Sequence, residues 1–388
     1  MRLITDTATL RTVCAEAAAA PFLALDTEFA RERTYWPKLC LVQIAWPGGE
    51  AVAIDALARG INLAPLWDLL NIPTILKVLH SARQDIEIFV HLTGRVPAPL
   101  FDSQVAASVL GYRDSVGYER LVREVLGCEV DKAARYADWT ARPVPERQLA
   151  YALDDVIHLR DLYPVLSSQL EERGRASWLA EEMAILSDIS TYRVDPEQAV
   201  RRLKLRAGNA AFLGAARALA TWRELKAQQR DVPRGKILRD EVLVRLAADL
   251  ARGPIDVAAL AAHLPKALAT EAENLADAVR RGRKAPIIRE DLEEQLPPAP
   301  EGLPELLRVL LRARCAAQGV AEKMVANSND LDRLAVYGAE AEVACLHGWR
   351  HEMFGADALR LLRGEVMLGY DGTTRGVVAL LSDVKHQA

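Results

Sequence analysis

A chain of 388 residues supports two or three domains, with ample length to bury a core in each. Lys+Arg 49 against Asp+Glu 53 leaves a formal net charge of −4, which excludes a global basic field, so a polyanion has to be held by local patches. Cys14, Cys40, Cys128, Cys315 and Cys345 are scattered with no C-x-x-C pair, which excludes a disulfide framework and a cysteine-built zinc site and fits reduced thiols in the cytoplasm.

In chain order, Thr5–Ala20 is alanine-rich with Thr and Asp at its start and is predicted as a capped helix. Asp6 and Glu16 interrupt what would be the apolar region of a signal peptide, and no apolar run is long enough to span a bilayer. The expectation is a cytoplasmic protein without membrane contact. Next comes PFLALDTEF (Pro21–Phe29), whose run Phe22–Leu25 reads as a strand buried on both faces. It ends in Asp26 and Glu28, which stand two apart and so share a face. Two anions held that close need a shared proton, bulk water or a cation. Hard oxygen ligands on a rigid strand end suit Mg²⁺ or Mn²⁺.

The loop Ala30–Lys38, ARERTYWPK, mixes Arg31, Arg33 and Lys38 with Tyr35 and Trp36. LCLVQIAW (Leu39–Trp46) and AVAID (Ala51–Asp55) follow as strands across the turn Pro47-Gly48-Gly49, so an antiparallel meander is expected. From Leu63 the pattern becomes a helix, then a short strand (Ile75–His80), then a helix from Ser81, which describes an α/β sheet with helices on its faces. Asp85 falls near the first turn of that helix, where it is either a site acid or a complement to the helix dipole. Phe101–Tyr112 starts another helix, with Asp102 as its N-cap. Pro143 and Pro145 close a loop, and Glu146–Leu162 is a strong helix on which Tyr151 and Asp155 share a face at i, i+4. Spacing alone leaves Asp154 in play beside Asp155.

From about Ile185 only helices are predicted. RRLKLR (Arg201–Arg206) and RRGRKAP (Arg280–Pro286) are basic clusters at module edges, either solvated faces or phosphate contacts. LPPAPEGLP (Leu296–Pro304) is a stiff linker into a second small helical module.

Four carboxylates and a phenol, Asp26, Glu28, Asp85, Asp155 and Tyr151, are the set that phosphodiester hydrolysis by two metal ions calls for. One ion activates water and the other stabilises the leaving 3′-oxygen, about 3.5–4 Å from the first. Asp26 is the natural bridging ligand. Glu28 and Asp155 would complete the water-activating site, Asp85 would support the other ion directly or through water, and the Tyr151 phenol would orient the attacking water.

DTEF-x-R with TYWPKLCLVQ, HSARQD, DK-x₆-WTARP and Y-x-x-x-D, in that order, resemble the exonuclease signature of the ribonuclease D family, the tyrosine-bearing branch of the Asp-Glu-Asp-Asp 3′→5′ exonucleases. A sister branch carries histidine five residues before the last Asp, where this chain has Ala150. The resemblance implies a ribonuclease H-like α/β exonuclease domain, with a mixed sheet, an antiparallel meander and helices on both faces, followed by two all-α domains. It implies metal ligands at Asp26, Glu28, Asp85 and Asp155, with Asp155 rather than Asp154 as the last acid, and a water-orienting Tyr151. TWRELKAQQRDVPRGKILRDEVLVRLA is similar to the helicase-and-RNase-D C-terminal (HRDC) domain. The module after Pro304 resembles a second, divergent copy without the WRE…D-x-PR pattern, which leaves a structural role beside RNA contact. The expected divisions are 1–190, 207–285 and 300–375.

The family further implies two divalent ions, Mg²⁺ or Mn²⁺, and trimming of RNA 3′ ends, tRNA precursors above all; the sequence leaves the oligomeric state open, with a monomer favoured. Arg31, Arg33, Tyr35, Trp36, Gln84, Trp139 and Arg142 are candidates for holding the terminal nucleotides by phosphate contact and base stacking. A DNA 3′→5′ exonuclease with the same site and a non-catalytic RNA-binding protein are the competing readings.

Overall fold

The computed structural model describes residues 2–130, 137–373 and 376–381. The first part runs β1 (Arg2–Ile4), α1 (Thr7–Ala17), β2 (Phe22–Ala30), β3 (Lys38–Ala45), β4 (Val52–Asp55), α2 (Ala64–Leu70), β5 (Leu76–Leu79), α3 (Arg83–Thr93), β6 (Leu100–Asp102), α4 (Ser103–Leu110), α5 (Tyr118–Leu126), α6 (Glu146–Glu172) and α7 (Ala176–Ser187). Six strands make one mixed sheet in the order β1-β4-β3-β2-β5-β6. The meander β2–β3–β4 is antiparallel, whereas β1 joins β4 and β5 joins β2 in parallel, with β6 parallel beyond β5.

β1 and β6 extend the expected sheet at its two edges. β6 takes up Leu100-Phe101-Asp102, so the helix expected from Phe101 starts at Ser103, with Asp102 as its N-cap. α6 runs on past Leu162 and through Pro164 to Glu172. Leu162, Leu166 and Leu170 are buried along its length, and that packing offsets the hydrogen bond that a proline removes.

Two features of the sheet prepare the site. β2 pairs with β5 only over Phe22–Ala24, while its pairing with β3 continues to Ala30. The half of β2 that carries Asp26 and Glu28 is thus clear of β5, and the register to β3 shifts between Glu28 and Phe29. On the face these acids share, the register aligns Ala24 with Ala45, Asp26 with Gln43, and Gln43 with Ala53. Small side chains there let α6 ride close to the strands, where Leu149, Ala152 and Leu153 pack against Leu41 and Ala53. The opposite face is filled by Leu23, Leu25, Val42, Ile44, Val52 and Ile54 in the main core.

Two further cores follow. One, around α8 (Ala210–Arg230) and the helices Asp240–Leu250 and Ala272–Gly282, is closed where Gly214 meets Gly282; a Cβ on Gly214 would lie 1.9 Å from the Gly282 carbonyl oxygen. The other is built on Leu303–Gln318, Ser328–Tyr337 and the segment to Leu362. It carries a two-stranded ribbon, β7 (Val366–Asp371) with β8 (Gly376–Leu381), where helices alone were expected. Trp178 of α7 stacks on Trp349 with centroids 4.7 Å apart, and Arg175 donates to Val109, Gln318 and Gly319 carbonyls, fastening this last module to the first.

Candidate active site

Asp26 and Glu28 leave β2 on the face covered by α6, and Asp155 comes down from α6 to meet them. One carboxylate oxygen from each of Asp26, Glu28 and Asp155 lies within 4.8 Å of the others. Asp154, the alternative left open by spacing, is exposed, and its carbonyl accepts from His158. The Tyr118 hydroxyl donates to the Asp155 carbonyl and pins α6 at this turn.

Asp85 is buried in the first turn of α3 and stands outside that group of three, its Oδ1 accepting from the Thr27 hydroxyl. Its placement depends on Asp102. Beyond capping α4, the Asp102 carboxylate accepts from Ser81 N at 2.9 Å and Ala82 N at 2.8 Å, so it grips the turn from β5 into α3. Ser81 is left-handed there, φ 59°, a conformation that a non-glycine residue keeps only when its surroundings impose it. Lys77, fully buried in β5, donates to the carbonyls of Ile72, Ile75 and Ala98 and stiffens the same corner.

The acids act on one another. Burial, then the charge of Asp155, pushes Asp26 up to about 8. Burial, followed by Asp26, Asp155 and Asp85, pushes Glu28 up to about 10. Asp155 rises to about 7 through burial, held back by its hydrogen bond to Tyr151. Asp85 is raised well above the usual carboxylate range by burial and by Asp26. The charged neighbours that move these four groups are all carboxylates. Hard oxygen donors converging with uncompensated negative charge fit a divalent cation, and Asp26, Glu28 and Asp155 are the residues placed to hold one. Burial also raises the Tyr151 phenol, helped by Asp155, Glu28 and Asp26, so at neutral pH it stays protonated.

At the last residues of β2, a cavity of about 630 Å³ is lined by Phe29, Arg31, Arg33, Lys38, Asp138 and Trp139 among others. Within it Arg31 is paired in a fork with Glu87, Nη2 to Oε1 at 2.8 Å. Trp139 is nearly buried, its ring centroid 6.3 Å from that of Tyr151, so it backs the tyrosine. Gln84 is exposed beside Asp85.

Three of the expected nucleotide contacts are otherwise engaged. Arg142 donates Nε and Nη2 to Asp55 at 2.8 and 2.7 Å, Nη2 to the Cys40 carbonyl, and Nη1 to the Trp139 and Ala141 carbonyls. A guanidinium so used holds its loop onto β3 and β4 and has little left for phosphate. The Tyr35 hydroxyl donates to Glu224 of α8, and Asp231 accepts from Tyr35 N at 3.0 Å and Trp36 N at 2.9 Å. The Trp36 ring stacks on His91, centroids 4.1 Å apart. These two aromatics dock the loop on α3 and α8. Arg33 and Lys38 keep to the cavity wall. The Asp131-Lys132 pair of the sequence motif lies outside the described residues.

The sequence alone did not mark Thr27, Asp55 or Tyr118, and it gave Asp102 one of its two duties. The D-T-E spacing itself put Thr27 between two site acids, and Asp55 ends a predicted strand. Nothing local marks Tyr118.

Residues 1–171 match the 3′-5′ exonuclease family model and residues 212–279 the HRDC domain model. A ribonuclease D of Gluconacetobacter diazotrophicus is 46% identical over 378 residues, covering 96% of this chain and 95% of that protein. The chain belongs to the ribonuclease D family. A second ribonuclease D, from Granulibacter bethesdensis, is 44% identical and covers 95% of this chain and 94% of its own. The crystal structure of Escherichia coli RNase D, an exoribonuclease involved in structured RNA processing, matches with a TM-score of 0.76 at 28% identity, covering 94% of this chain and 98% of that one. The catalytic core of RRP6 from Trypanosoma brucei, 21% identical with a TM-score of 0.53, shares the fold over 72% of this chain. As a ribonuclease D family member the protein is a metal-dependent 3′→5′ exoribonuclease, an exonuclease domain followed by a helical HRDC region. Among the described residues no helix is long and apolar enough to cross a membrane.

Proposed function

We propose that Asp26, Glu28, Asp85 and Asp155 hold two divalent ions, Mg²⁺ or Mn²⁺, and that Tyr151 orients the attacking water while nucleotides are removed one at a time from RNA 3′ ends, those of tRNA precursors above all. The observation that carries the reading is the meeting of β2 and α6 acids within 4.8 Å. Bound divalent ions would supply a nucleophile active at neutral pH and stabilise charge on the departing 3′-oxygen.

The chain's own residues do the positioning. A strand end fixed by its register holds Asp26 and Glu28, and Tyr118 and Tyr151 fix Asp155. Thr27 and Asp102 fix Asp85 and the turn that bears it. A phenol kept protonated orients water by hydrogen bonding and does not act as a base, so a general base of matched pKa is not required. Arg33 and Lys38 on the cavity wall suit the phosphates of the terminal nucleotides, and the exposed Gln84 is close enough to Asp85 in sequence to join them.

We further propose domains at 1–190, 207–285 and 300–375, the last a divergent HRDC-like module, in a monomeric cytoplasmic enzyme; three separate hydrophobic cores support the division. The test is digestion of a 3′-extended tRNA and of matched RNA and DNA oligomers, with and without divalent metal. The reading expects RNA trimming that stops on chelation. Equal turnover by Asp26→Ala and the parent would contradict the site.

A further inference from the structure

Gln43 is fully buried, and neither its Nε2 nor its Oε1 has a hydrogen-bond partner. A primary amide that has left water and found no partner at either end is rare in a folded protein and demands a reason. Its neighbours in register are apolar on one side, with Ala53 next to it on β4 and Leu149 and Leu153 of α6 packed over Ala53. On the other side stands Asp26, directly opposite on β2. Opposed residues of an antiparallel pair point to the same face with Cβ atoms about 4.5–5.5 Å apart, a gap that a glutamine side chain spans.

We propose that Gln43 is a positioning residue for Asp26: unpartnered without metal, its amide would turn to donate an N–H to the Asp26 carboxylate when a divalent ion is held, and so set the direction in which that carboxylate offers its oxygens to the ion. The proposal rests on the reading of Asp26 as a metal ligand. A ligating carboxylate has more lone pairs than one cation takes, and a donor on an unused one orients the group. An amide does this without bringing a positive charge to compete with the cation, which a lysine or arginine at the same place would do. The register explains why the donor comes from β3: no other residue stands straight across the strand pair from Asp26.

Gln43→Met keeps the volume and removes the donor. In the full-length protein, Mn²⁺ affinity measured by isothermal titration is expected to fall about tenfold, in the range that supporting shells contribute at metal sites. The Tm without metal should stay level or rise, because an unpartnered buried amide has gone, and kcat on RNA should fall with KM for RNA unchanged. A residue that only filled space would give the same level or raised Tm with Mn²⁺ affinity and kcat kept, so affinity and kcat are the readouts that decide. Mn²⁺ affinity equal to the parent's overturns the proposal, provided Asp26→Ala binds less; if Asp26→Ala binds as the parent does, the site reading fails with it. Should Gln43→Met not fold, a Mn²⁺-loaded crystal of the unaltered protein decides. Gln43 Nε2 within about 3.2 Å of an Asp26 carboxylate oxygen supports the assignment, and an amide turned elsewhere overturns it.

Discussion

The strand tip that bears Asp26 and Glu28 and the loop Arg31–Lys38 that follows it are neighbours in sequence, yet they are held by different means. The tip is fixed from within its own domain by the β2–β3 register, by α6 above it and by Thr27 and Asp102 around Asp85. The loop is held partly by α3, through Glu87 and His91, and partly from outside its domain. Asp231 and Glu224, nearly two hundred residues on, hold Tyr35 and Trp36. Glu224 is fully buried and paired with Arg234 at 2.6 Å, and Arg234 lies 5.3 Å from the Tyr35 ring centroid. The acids are thus placed by the exonuclease domain alone, while the loop whose Arg31, Arg33 and Lys38 line the cavity is also tied to the helical module. The difference teaches what to expect of damage: at the tip it should reach kcat, and at the loop KM.

The largest effect falls at the tip. Asp155→Ala removes a carboxylate from the group of three, and the loss of several kcal/mol of metal-assisted stabilisation corresponds to a fall in kcat of roughly a thousandfold or more. RNA binding measured by filter retention should survive. Next comes Tyr151→Phe, which leaves the acids in place and misplaces the water; about a hundredfold loss of kcat is expected with KM little changed. Asp231→Ala tests the other side of the comparison. Loss of an acceptor for two backbone N–H groups frees the loop, and KM for a short 3′-ended RNA should rise by roughly threefold to tenfold, about 1 kcal/mol, while kcat holds. A fall in kcat without change in KM would show that the loop and the tip are not separate.

The smallest effect is on stability and follows from the raised acids. Without metal, Asp26 titrates at about 8, Glu28 at about 10 and Asp155 at about 7, against roughly 4 in an unfolded chain. The folded state then binds more protons than the unfolded one, so this contribution is full below pH 4 and is lost as pH rises through the folded values. Divalent metal replaces the protons. The gain in Tm on adding Mg²⁺ should therefore grow from pH 6 to pH 9, and melting curves with and without chelator check it. A gain that shrank with pH would place the ion elsewhere.

The same contrast marks what was legible in the sequence. PFLALDTEF, the turn Pro47-Gly48-Gly49 and the i, i+4 pair Tyr151 and Asp155 are local signals, and the sheet and the acid group follow from them. β1 and β6 are three residues each and form only because longer strands are there to receive them, so no local pattern announces them. Pro164 reads as a stop, but buried leucines on both sides of it carry α6 through. The β7–β8 ribbon did carry a signal, Asp371-Gly372 between apolar runs, which the helical expectation passes over. Tyr35, Trp36 and Arg142 show the limit of composition. Aromatic and basic side chains in a loop look alike whether they face a nucleotide or a distant part of the same chain, and only the fold brings Glu224, Asp231 and Asp55 to them.

The central claim is that acids from β2 and α6 hold divalent metal together. Titration of Mn²⁺ into the full-length protein, followed by the loss of its free EPR signal, tests this most directly when Asp155→Asn is run beside the parent. The account predicts that the parent takes up Mn²⁺ and that the variant loses most of that uptake while keeping its fold by circular dichroism. A variant that binds Mn²⁺ as tightly as the parent, with the same stoichiometry, would contradict it.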